Sequence, residues 1–368
     1  MNEAPKIFTG LVGQEQARRM LAAAIGQGSP SHAYLFHGPR GVGKLEAARD
    51  FAAALCCEQG GCGVCPTCEK ASRGVHPDID VLEPVGSFIT VDQVREINRD
   101  LSLRPHESQA RVFIIRGAGR FNAESANAFL KSLEEPPPFV YFLLLARGLD
   151  RILPTIISRC QPVRFSAAPP EAIEAFLLER FQVSSVVAQA YARVSRGDLG
   201  LAQALCTDPD LRDRRDRYLK IGENLGRAAW EGGASQMTAD IILASSQAGE
   251  IAEQEDETIP EGFFSAPKKR RDQDAHRRAG QAQKRELNLA LDILEMWFRD
   301  MMAMAAGAGD TILNRDYELE LENLALSSKV DNYRRALEAI EATRAKLSYN
   351  VDLELALQAM FHQLREVL

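Results

Sequence analysis

The 368-residue sequence contains no apolar run of about 18 or more residues, so we expect no membrane-spanning helix and no membrane partner. Residues 1–6 lack the charged-then-apolar pattern of a secretory signal, which favours a cytoplasmic location. The net charge of −7 excludes a chain that binds nucleic acid over its whole surface by excess positive charge. In the cytoplasm, the seven cysteines are expected to be thiols or metal ligands rather than disulfides.

A hydroxyl is missing from a loop that otherwise has the pattern of a phosphate-binding loop. Gly38, Gly41, Gly43 and Lys44 fit the pattern G-x-x-x-x-G-K, which normally ends in a Ser or Thr that ligates Mg²⁺. Here the next residue is Leu45, which has no oxygen to ligate a metal. The loop follows a predicted buried strand over 33–37 and precedes a predicted helix over 45–57, and this context is typical of an anion site.

An acidic pair is missing from a second strand. Residues 111–115 read as a buried parallel strand, after which an ATPase of this class carries two acids that orient the metal and polarise the attacking water. Here Arg116 and Gly117 occupy those positions, and Arg116 would place a positive charge where the metal lies. Leu45 and Arg116 remove different parts of one reaction, so we expect no ATP hydrolysis by this chain. Whether the loop binds ATP is left open.

Five of the seven cysteines lie between residues 56 and 68. Cys62, Cys65 and Cys68 are each separated by two residues, which allows three thiolates to bind one ion, and a fourth sulfur would complete a tetrahedral Zn²⁺ site. Cys57 is the preferred fourth ligand because it lies nearer the loop, and Cys56 is the alternative. An iron–sulfur cluster or metal-free thiols are less favoured alternatives.

Strands and helices alternate through the first part of the chain, which predicts a parallel, doubly wound sheet. From residue 169 onward the pattern is helical, with predicted helices over 171–181, 183–195 and 199–205. Residues 250–286 form an acidic and then basic stretch, and its basic run over 268–285 is either a solvated helix face or connector, or a DNA contact. Apolar residues then recur at helical spacing, as in a core-packing seam: Leu287, Leu291, Leu294, Phe298 and Met301.

Several strings together resemble the delta-prime subunits of bacterial DNA polymerase III clamp loaders. The resemblance covers essentially the whole chain and is strongest over 8–165. It is carried by Val12-Gly13-Gln14, the loop ending Gly43-Lys44, the cysteines, His76-Pro77-Asp78, the string N-A-x-L-K-x-L-E-E-P-P over 127–137, and Ser158-Arg159-Cys160. The paralogous gamma/tau motor subunits keep the loop hydroxyl and the acidic pair. This chain also has Gly200 where they carry a phosphate-sensing arginine, while Arg147 lies near the position of a polar sensor.

The resemblance implies an α/β fold with three parts. Residues 1–165 would form an AAA+ P-loop module that includes a zinc knuckle over 56–68. Residues 166–206 would form a small helical lid lobe, and residues 207–368 an all-α collar that assembles the ring.

The resemblance also implies a role for Arg159. In a clamp loader, each subunit presents the arginine of its S-R-C motif to the ATP of its neighbour, where it stabilises the charge on the transferring phosphoryl group. The expected partners are the gamma/tau and delta subunits, the sliding clamp indirectly, and primed DNA through the assembled complex. Two rival hypotheses are a divergent gamma/tau-like ATPase with relocated metal ligands, and a zinc-dependent nucleic-acid adaptor outside replication.

Overall fold

The computed structural model describes residues 8, 10–84, 88–225, 233–257, 268–325, 328–347, 349 and 351–368, with side chains outside 252–278. It divides into two compact units. The first comprises Met1–Gln182 and Ser195–Gln203, and the second comprises Val183–Val194 and Ala204–Leu368. Within the described ranges, no helix is long and apolar enough to cross a membrane.

The first unit is built on a parallel sheet whose five described strands lie in the order β2-β3-β4-β1-β5. The strands are β1 (Ala33–His37), β2 (Ile79–Leu82), β3 (Arg111–Arg116), β4 (Val140–Ala146) and β5 (Gln161–Arg164). The central strands β1, β3 and β4 are apolar and nearly fully buried, as expected for parallel strands covered on both faces. The prediction of a parallel α/β sheet is therefore confirmed.

Helices cover both faces of this sheet. They are α1 (Glu15–Gly26), α2 (Lys44–Cys56), α3 (Pro66–Ser72), α4 (Val91–Asp100), α5 (Ala123–Glu134), α6 (Pro154–Ile157) and α7 (Pro170–Arg180), and α9 (Leu199–Thr207) begins in this unit. One apolar cluster packs α1 and α2 on one face, and another packs α4, α5 and α6 on the other. Thr90 and Asn122 begin α4 and α5 with reciprocal capping boxes, which fixes where these helices start.

Gln14, from the Val12-Gly13-Gln14 string, ties the start of α1 to the chain that leaves β5. Its side chain is buried, and its amide makes two hydrogen bonds, one as donor and one as acceptor, to the backbone of one residue. Gln14 Nε2 donates to the carbonyl of Ser166 at 2.7 Å, and Gln14 Oε1 accepts from the Ser166 N–H at 3.1 Å. The string thus has a structural explanation that does not involve a ligand.

The described residues of the second unit form helices and connecting turns, without a strand. Its helices are α8 (Ser185–Val194), α10 (Pro209–Leu225), α11 (Gly233–Glu257), α12 (Lys268–Ala305), α13 (Glu318–Ala325), α14 (Val330–Leu347) and α15 (Leu353–Val367). The predicted apolar seam lies on α12 and is buried, from Leu287 to Met301. Arg215, on α10, is a buried charge in this unit. It forms an ion pair with Asp316 at 2.6 Å and donates a hydrogen bond to Asn314 at 2.8 Å. Its guanidinium also lies over the rings of Tyr191 and Tyr317.

Some elements of the structure were not predicted, and some predictions are not tested by it. Strand β5 and helix α3 were not predicted. Glu286, the end of the predicted charged stretch, is buried and accepts a bond from Tyr218 Oη at 2.7 Å. The other predicted charged residues between 252 and 278 lie outside the described side chains. The division at 165 and 206 stays a prediction.

Candidate functional site

The phosphate loop joins β1 to α2, as predicted. Gly41 and Gly43 have φ angles of 70° and 85°, in the left-handed region that favours glycine, and Gly43 is the N-cap of α2. The loop therefore has the backbone form of an anion cradle at a helix N-terminus.

The loop glycines are also required by contacts within the chain. A Cβ on Gly38 would lie 2.1 Å from the carbonyl oxygen of Phe165. A Cβ on Gly41 would lie 1.7 Å from Asp198 Oδ1. The Phe165 carbonyl belongs to the backbone, so Gly38 is needed whether or not a phosphate binds. The Asp198 carboxylate is the end of a side chain that can turn away, and Gly41 is favoured chiefly by its φ of 70°.

Lys44 contacts the loop itself. Its ammonium donates to the carbonyl of Gly38 at 2.8 Å and to the carbonyl of Pro39. Burial, followed by the nearby charge of Arg147, lowers the pKa of Lys44 to about 8. Arg147, which was expected near a sensor position, therefore lies close enough to Lys44 for its charge to act there.

Asp198 is a site residue that the sequence analysis did not identify. It precedes α9, and its carboxylate accepts from the N–H of Leu201 at 2.8 Å. The N–H of Leu199 donates to the carbonyl of Gly41 at 3.0 Å, which fixes the start of α9 against the loop. An Asp before an apolar helical run was a detectable N-cap signal, but its contact with the loop is a long-range feature. Asp198 therefore places a carboxylate beside the phosphate loop. Two residues later, Gly200 occupies the position at which the resemblance predicts a phosphate-sensing arginine in gamma/tau subunits.

Leu45 and Arg116, at the two substituted positions, both contact other parts of the protein. Leu45 is half-buried and packs against the apolar cluster under α1 and α2. Arg116 forms an ion pair with Glu83, which follows β2. Strand β2 lies on one side of β3, and β1 with its loop lies beyond β4 on the other. Arg116 therefore has a protein partner in Glu83, and its placement at the metal position stays a prediction.

The structure brings four cysteines together. The sulfurs of Cys57, Cys62, Cys65 and Cys68 all lie within 4.8 Å of one another. Cys57 Sγ is 3.9 Å from Cys62 Sγ and 3.7 Å from Cys65 Sγ. Four sulfurs placed tetrahedrally at the Zn–S distance of 2.3 Å would be separated by about 3.8 Å. The two separations from Cys57 match this value, and all four sulfurs lie close enough together to bind one ion.

Cys56 is excluded from this cluster by its position on α2. Its side chain is buried, and its thiol donates to the carbonyl of Ala110 at 3.4 Å. Burial raises the pKa of the Cys56 thiol to about 12. At Cys57, burial also opposes ionisation, but N–H groups of Cys62, Gly61 and Gln59 lower its pKa to about 6. The structure thus places Cys57, the preferred alternative, in the cluster.

One local bond and one long-range ion pair order the segment that follows Cys65. Cys65 is the N-cap of α3, and its sulfur accepts from the N–H of Cys68 at 3.5 Å. Lys70 on α3 pairs with Glu107 at 2.7 Å. The cluster is therefore connected to the 106–108 loop through α3.

The His76-Pro77-Asp78 string organises that same loop. Asp78 is buried and accepts bonds from the N–H groups of His106, Glu107 and Ser108 and from the Ser108 hydroxyl. Burial opposes ionisation of Asp78, but these donors hold its pKa below the ordinary value. Nδ1 of His76 accepts from the Asp78 N–H at 3.1 Å. The string is therefore a structural element next to the cysteine cluster.

Arg159 lies on the surface just after α6, with a third of its side chain exposed. Nη1 donates to the carbonyl of Thr155 at 2.9 Å and to Ser158 Oγ at 3.4 Å, and Nη2 pairs with Glu134. The neighbouring Cys160 is buried. The predicted placement of Arg159 after a helix end agrees with the structure, and its role stays a prediction.

Comparison with known proteins finds similarity to subunits of bacterial DNA polymerase III over most of the chain. The profile of the family described as "DNA polymerase III, delta subunit" matches residues 13–169. The delta' subunit of DNA polymerase III from Bacillus subtilis is 27% identical over 356 residues, covering 96% of both chains. The gamma/tau subunit from Mycobacterium tuberculosis is 37% identical over 188 residues, which are 50% of this chain and 32% of the relative. The delta' subunit from Pseudomonas aeruginosa is 40% identical over 141 residues, 37% of this chain and 43% of the relative.

The parallel sheet, with its phosphate loop after β1 and its helical C-terminal part, defines an AAA+ fold. Within that class, the chain belongs to the clamp-loader subunits of bacterial DNA polymerase III.

Proposed function

We propose that the chain is a delta-prime-type clamp-loader subunit that does not hydrolyse ATP but completes the ATP site of a neighbouring gamma/tau-type subunit. One observation carries the proposal. The chain lacks the metal-binding and water-activating groups of its own site, yet it presents Arg159 at the surface. An arginine that acts in trans does not require a working ATP site in its own chain.

The proposed contribution of Arg159 is electrostatic. A guanidinium is always protonated and its planar fork matches phosphate oxygens, so it suits the negative charge that develops on a transferring phosphoryl group. The subunit would act in a hetero-oligomer with gamma/tau and delta subunits in the cytoplasm. That assembly would load the sliding clamp onto primed DNA as part of the DNA polymerase III holoenzyme.

The chain's own loop is proposed to be inactive in hydrolysis. The hydroxyl after Lys44 is replaced by the apolar side chain of Leu45, which is half-buried against the core. The position of the acidic pair carries Arg116, which pairs with Glu83. The ammonium of Lys44 bonds to carbonyls of its own loop, so a phosphate would have to displace those bonds.

The cysteine cluster is proposed to hold one structural Zn²⁺ through Cys57, Cys62, Cys65 and Cys68. The four-sulfur set and its spacing support a closed tetrahedral site. A [4Fe–4S] cluster would bind each thiolate to a different iron, so its sulfurs would lie farther apart than one ion requires. When bound, the ion would cross-link the end of α2 to the start of α3.

The test is steady-state ATPase of a reconstituted loader, with clamp and primed DNA, in which Arg159 is changed to Ala. Removal of such a finger elsewhere costs roughly 10³–10⁵ in rate at the affected site, and the whole complex should lose less because other interfaces keep their own arginines. Arg151→Ala is the matched control, because Arg151 is a neighbouring and highly exposed arginine. Unchanged rates with Arg159→Ala, in a loader shown to be assembled, would refute the finger role.

A further inference from the structure

Two signature strings that are distant in the sequence meet at one ion pair. Nη2 of Arg159, from Ser158-Arg159-Cys160, donates to Oε1 of Glu134, from the E-E-P-P end of the other string. The contact joins the last residue of α5 to the residue that follows α6 by two positions. It gives the Glu134 carboxylate a direct partner in the residue proposed to act on a neighbour's ATP.

Glu134 is held at a fixed point in the fold. Helix α5 begins at the Asn122 capping box, and its side chains Phe129 and Leu133 are fully buried against the sheet. Three prolines, 136–138, follow the helix and restrict the chain immediately after it. The carboxylate therefore projects from a rigid helix end rather than from a mobile loop.

The bonds of Arg159 leave part of its guanidinium free for an external acceptor. The group has five N–H donors. Three described bonds run to the Thr155 carbonyl, the Ser158 hydroxyl and the Glu134 carboxylate. Among the described residues, two donors therefore remain for an acceptor outside the chain, while the other three fix the plane of the group.

The ion pair between Arg159 and Glu134 is too exposed to contribute much to the free energy of unfolding. The side chains of Arg159 and Glu134 are 34% and 48% exposed. Exposed ion pairs contribute only about 0.2–1 kcal/mol to folding. An unrestrained arginine, in contrast, samples many rotamers and loses conformational entropy when it binds a phosphate. An ion pair that already holds the guanidinium in one orientation reduces this entropy loss.

We propose that Glu134 is a positioning residue that orients the Arg159 guanidinium toward the ATP of the neighbouring subunit. This inference rests on the proposed function. Glu134 acts only through Arg159, since its carboxylate would repel the phosphates and takes a donor from the arginine. Its loss leaves the finger present but less often correctly oriented, which slows the chemical step without changing how tightly the neighbour binds ATP.

The experiment uses the reconstituted loader with clamp and primed DNA, and measures kcat and KM for ATP. Glu134→Gln keeps the shape of the side chain and removes its charge. We expect kcat to fall about 1.4- to fivefold, the rate equivalent of an exposed ion pair, with KM unchanged. Glu135→Gln is the matched control, because Glu135 is the adjacent exposed glutamate and is not part of the Arg159 contact.

A double-mutant cycle separates positioning from general structural damage. In an Arg159→Ala loader, Glu134→Gln should have no further effect, because there is no guanidinium left to orient. An equal additional loss in that background would overturn the inference, as would a wild-type kcat or a raised kcat in the Glu134→Gln loader. If Arg159→Ala itself changes nothing, the finger and its positioning residue fail together. If Arg159→Ala slows hydrolysis and Glu134→Gln does not, only the positioning role fails.

Discussion

The cysteine cluster gives a prediction in which the metal ligand can be removed without removing a helix cap. Cys65 is both a proposed zinc ligand and the N-cap of α3. Serine is among the best N-cap residues, so Cys65→Ser should keep the cap while losing the thiolate. We expect the purified wild type to carry about one Zn²⁺ per chain and Cys65→Ser to carry none.

The expected energetic effect follows from two opposing quantities. Structural zinc supplies about 10–16 kcal/mol of apparent binding free energy in small zinc-finger peptides. Ordering the nine loop residues 57–65 costs about 1–2 kcal/mol each, or roughly 9–18 kcal/mol in total. The two nearly cancel, so the ion should just suffice to order this segment. The apolar clusters of the sheet do not include the loop, and they should stay folded without it.

Loss of the metal should therefore produce local unfolding with a small global effect. Hydrogen exchange should become fast over 58–68 in Cys65→Ser and in chelator-treated wild type, while β1, β3 and β4 stay protected. The melting temperature should fall by only a few degrees, since 1 kcal/mol corresponds to about 2–4 °C in a domain of this size. Comparison with Cys65→Ala would add the loss of the cap, typically about 1 kcal/mol.

Cys56→Ser is the control, because that thiol bonds to Ala110 and lies outside the cluster. It should keep the metal, whereas Cys57→Ser should lose it. The reasoning is refuted if elemental analysis finds iron, or no metal after reducing purification without chelator. Retention of zinc by Cys65→Ser would be equally decisive. The reverse result at positions 56 and 57 would show that the fourth ligand is misassigned.

Three further outcomes are expected. The isolated chain should show no ATP hydrolysis above background, and a turnover like that of a motor subunit, abolished by Lys44→Ala, would favour a gamma/tau-like ATPase instead. Gln14→Ala should destabilise the fold by about 1–3 kcal/mol in denaturant unfolding, because it removes both bonds to the Ser166 backbone, while the exposed control Gln16→Ala should stay within about 0.5 kcal/mol. Asp78→Asn should cost about 1.5–3 kcal/mol at pH 7. The folded-state pKa of Asp78 lies below its unfolded value of about 3.9, so this stabilisation is present above that value and lost as the pH falls through the folded pKa. The difference from wild type should therefore shrink in acid, and a constant difference from pH 7 to pH 3, or an equal effect of the exposed control Asp150→Asn, would contradict it.

The parts of the fold that sequence predicts well are those with strong periodic apolar patterns. The bounds of β1 were predicted to the residue, and α2 was predicted to within one residue at each end. Strand β5 escaped prediction because it has four residues, contains Pro162 and buries only Val163. Proline is tolerated there because β5 is an edge strand, and an edge position depends on the order of the whole sheet.

The candidate site divides in the same way between local and long-range information. The spacing of Cys62, Cys65 and Cys68 is a local pattern, so the sequence alone was enough to name them as candidate ligands. It did not predict that α3 begins at Pro66. The choice between Cys56 and Cys57 depends on which side of α2 faces the core, and the structure decides it. Asp198 contacts a loop more than 150 residues earlier, and no local pattern predicts that contact.

The phosphate loop shows why the glycines of a motif can be present in a protein that does not carry out the reaction. Gly38 faces the Phe165 backbone carbonyl at a distance that admits no side chain, and Gly41 faces the Asp198 carboxylate with a φ of 70° that disfavours other residues. Replacing either glycine would therefore disturb the packing of β5 or α9 even in a protein that never binds nucleotide. Leu45 is half-buried against the apolar cluster and Arg116 pairs with Glu83, so neither position depends on the absence of a side chain. Presence of the glycines thus reports on the fold, and the residues after Lys44 and Ile115 report on hydrolysis, which is why these two substitutions outweigh the intact loop.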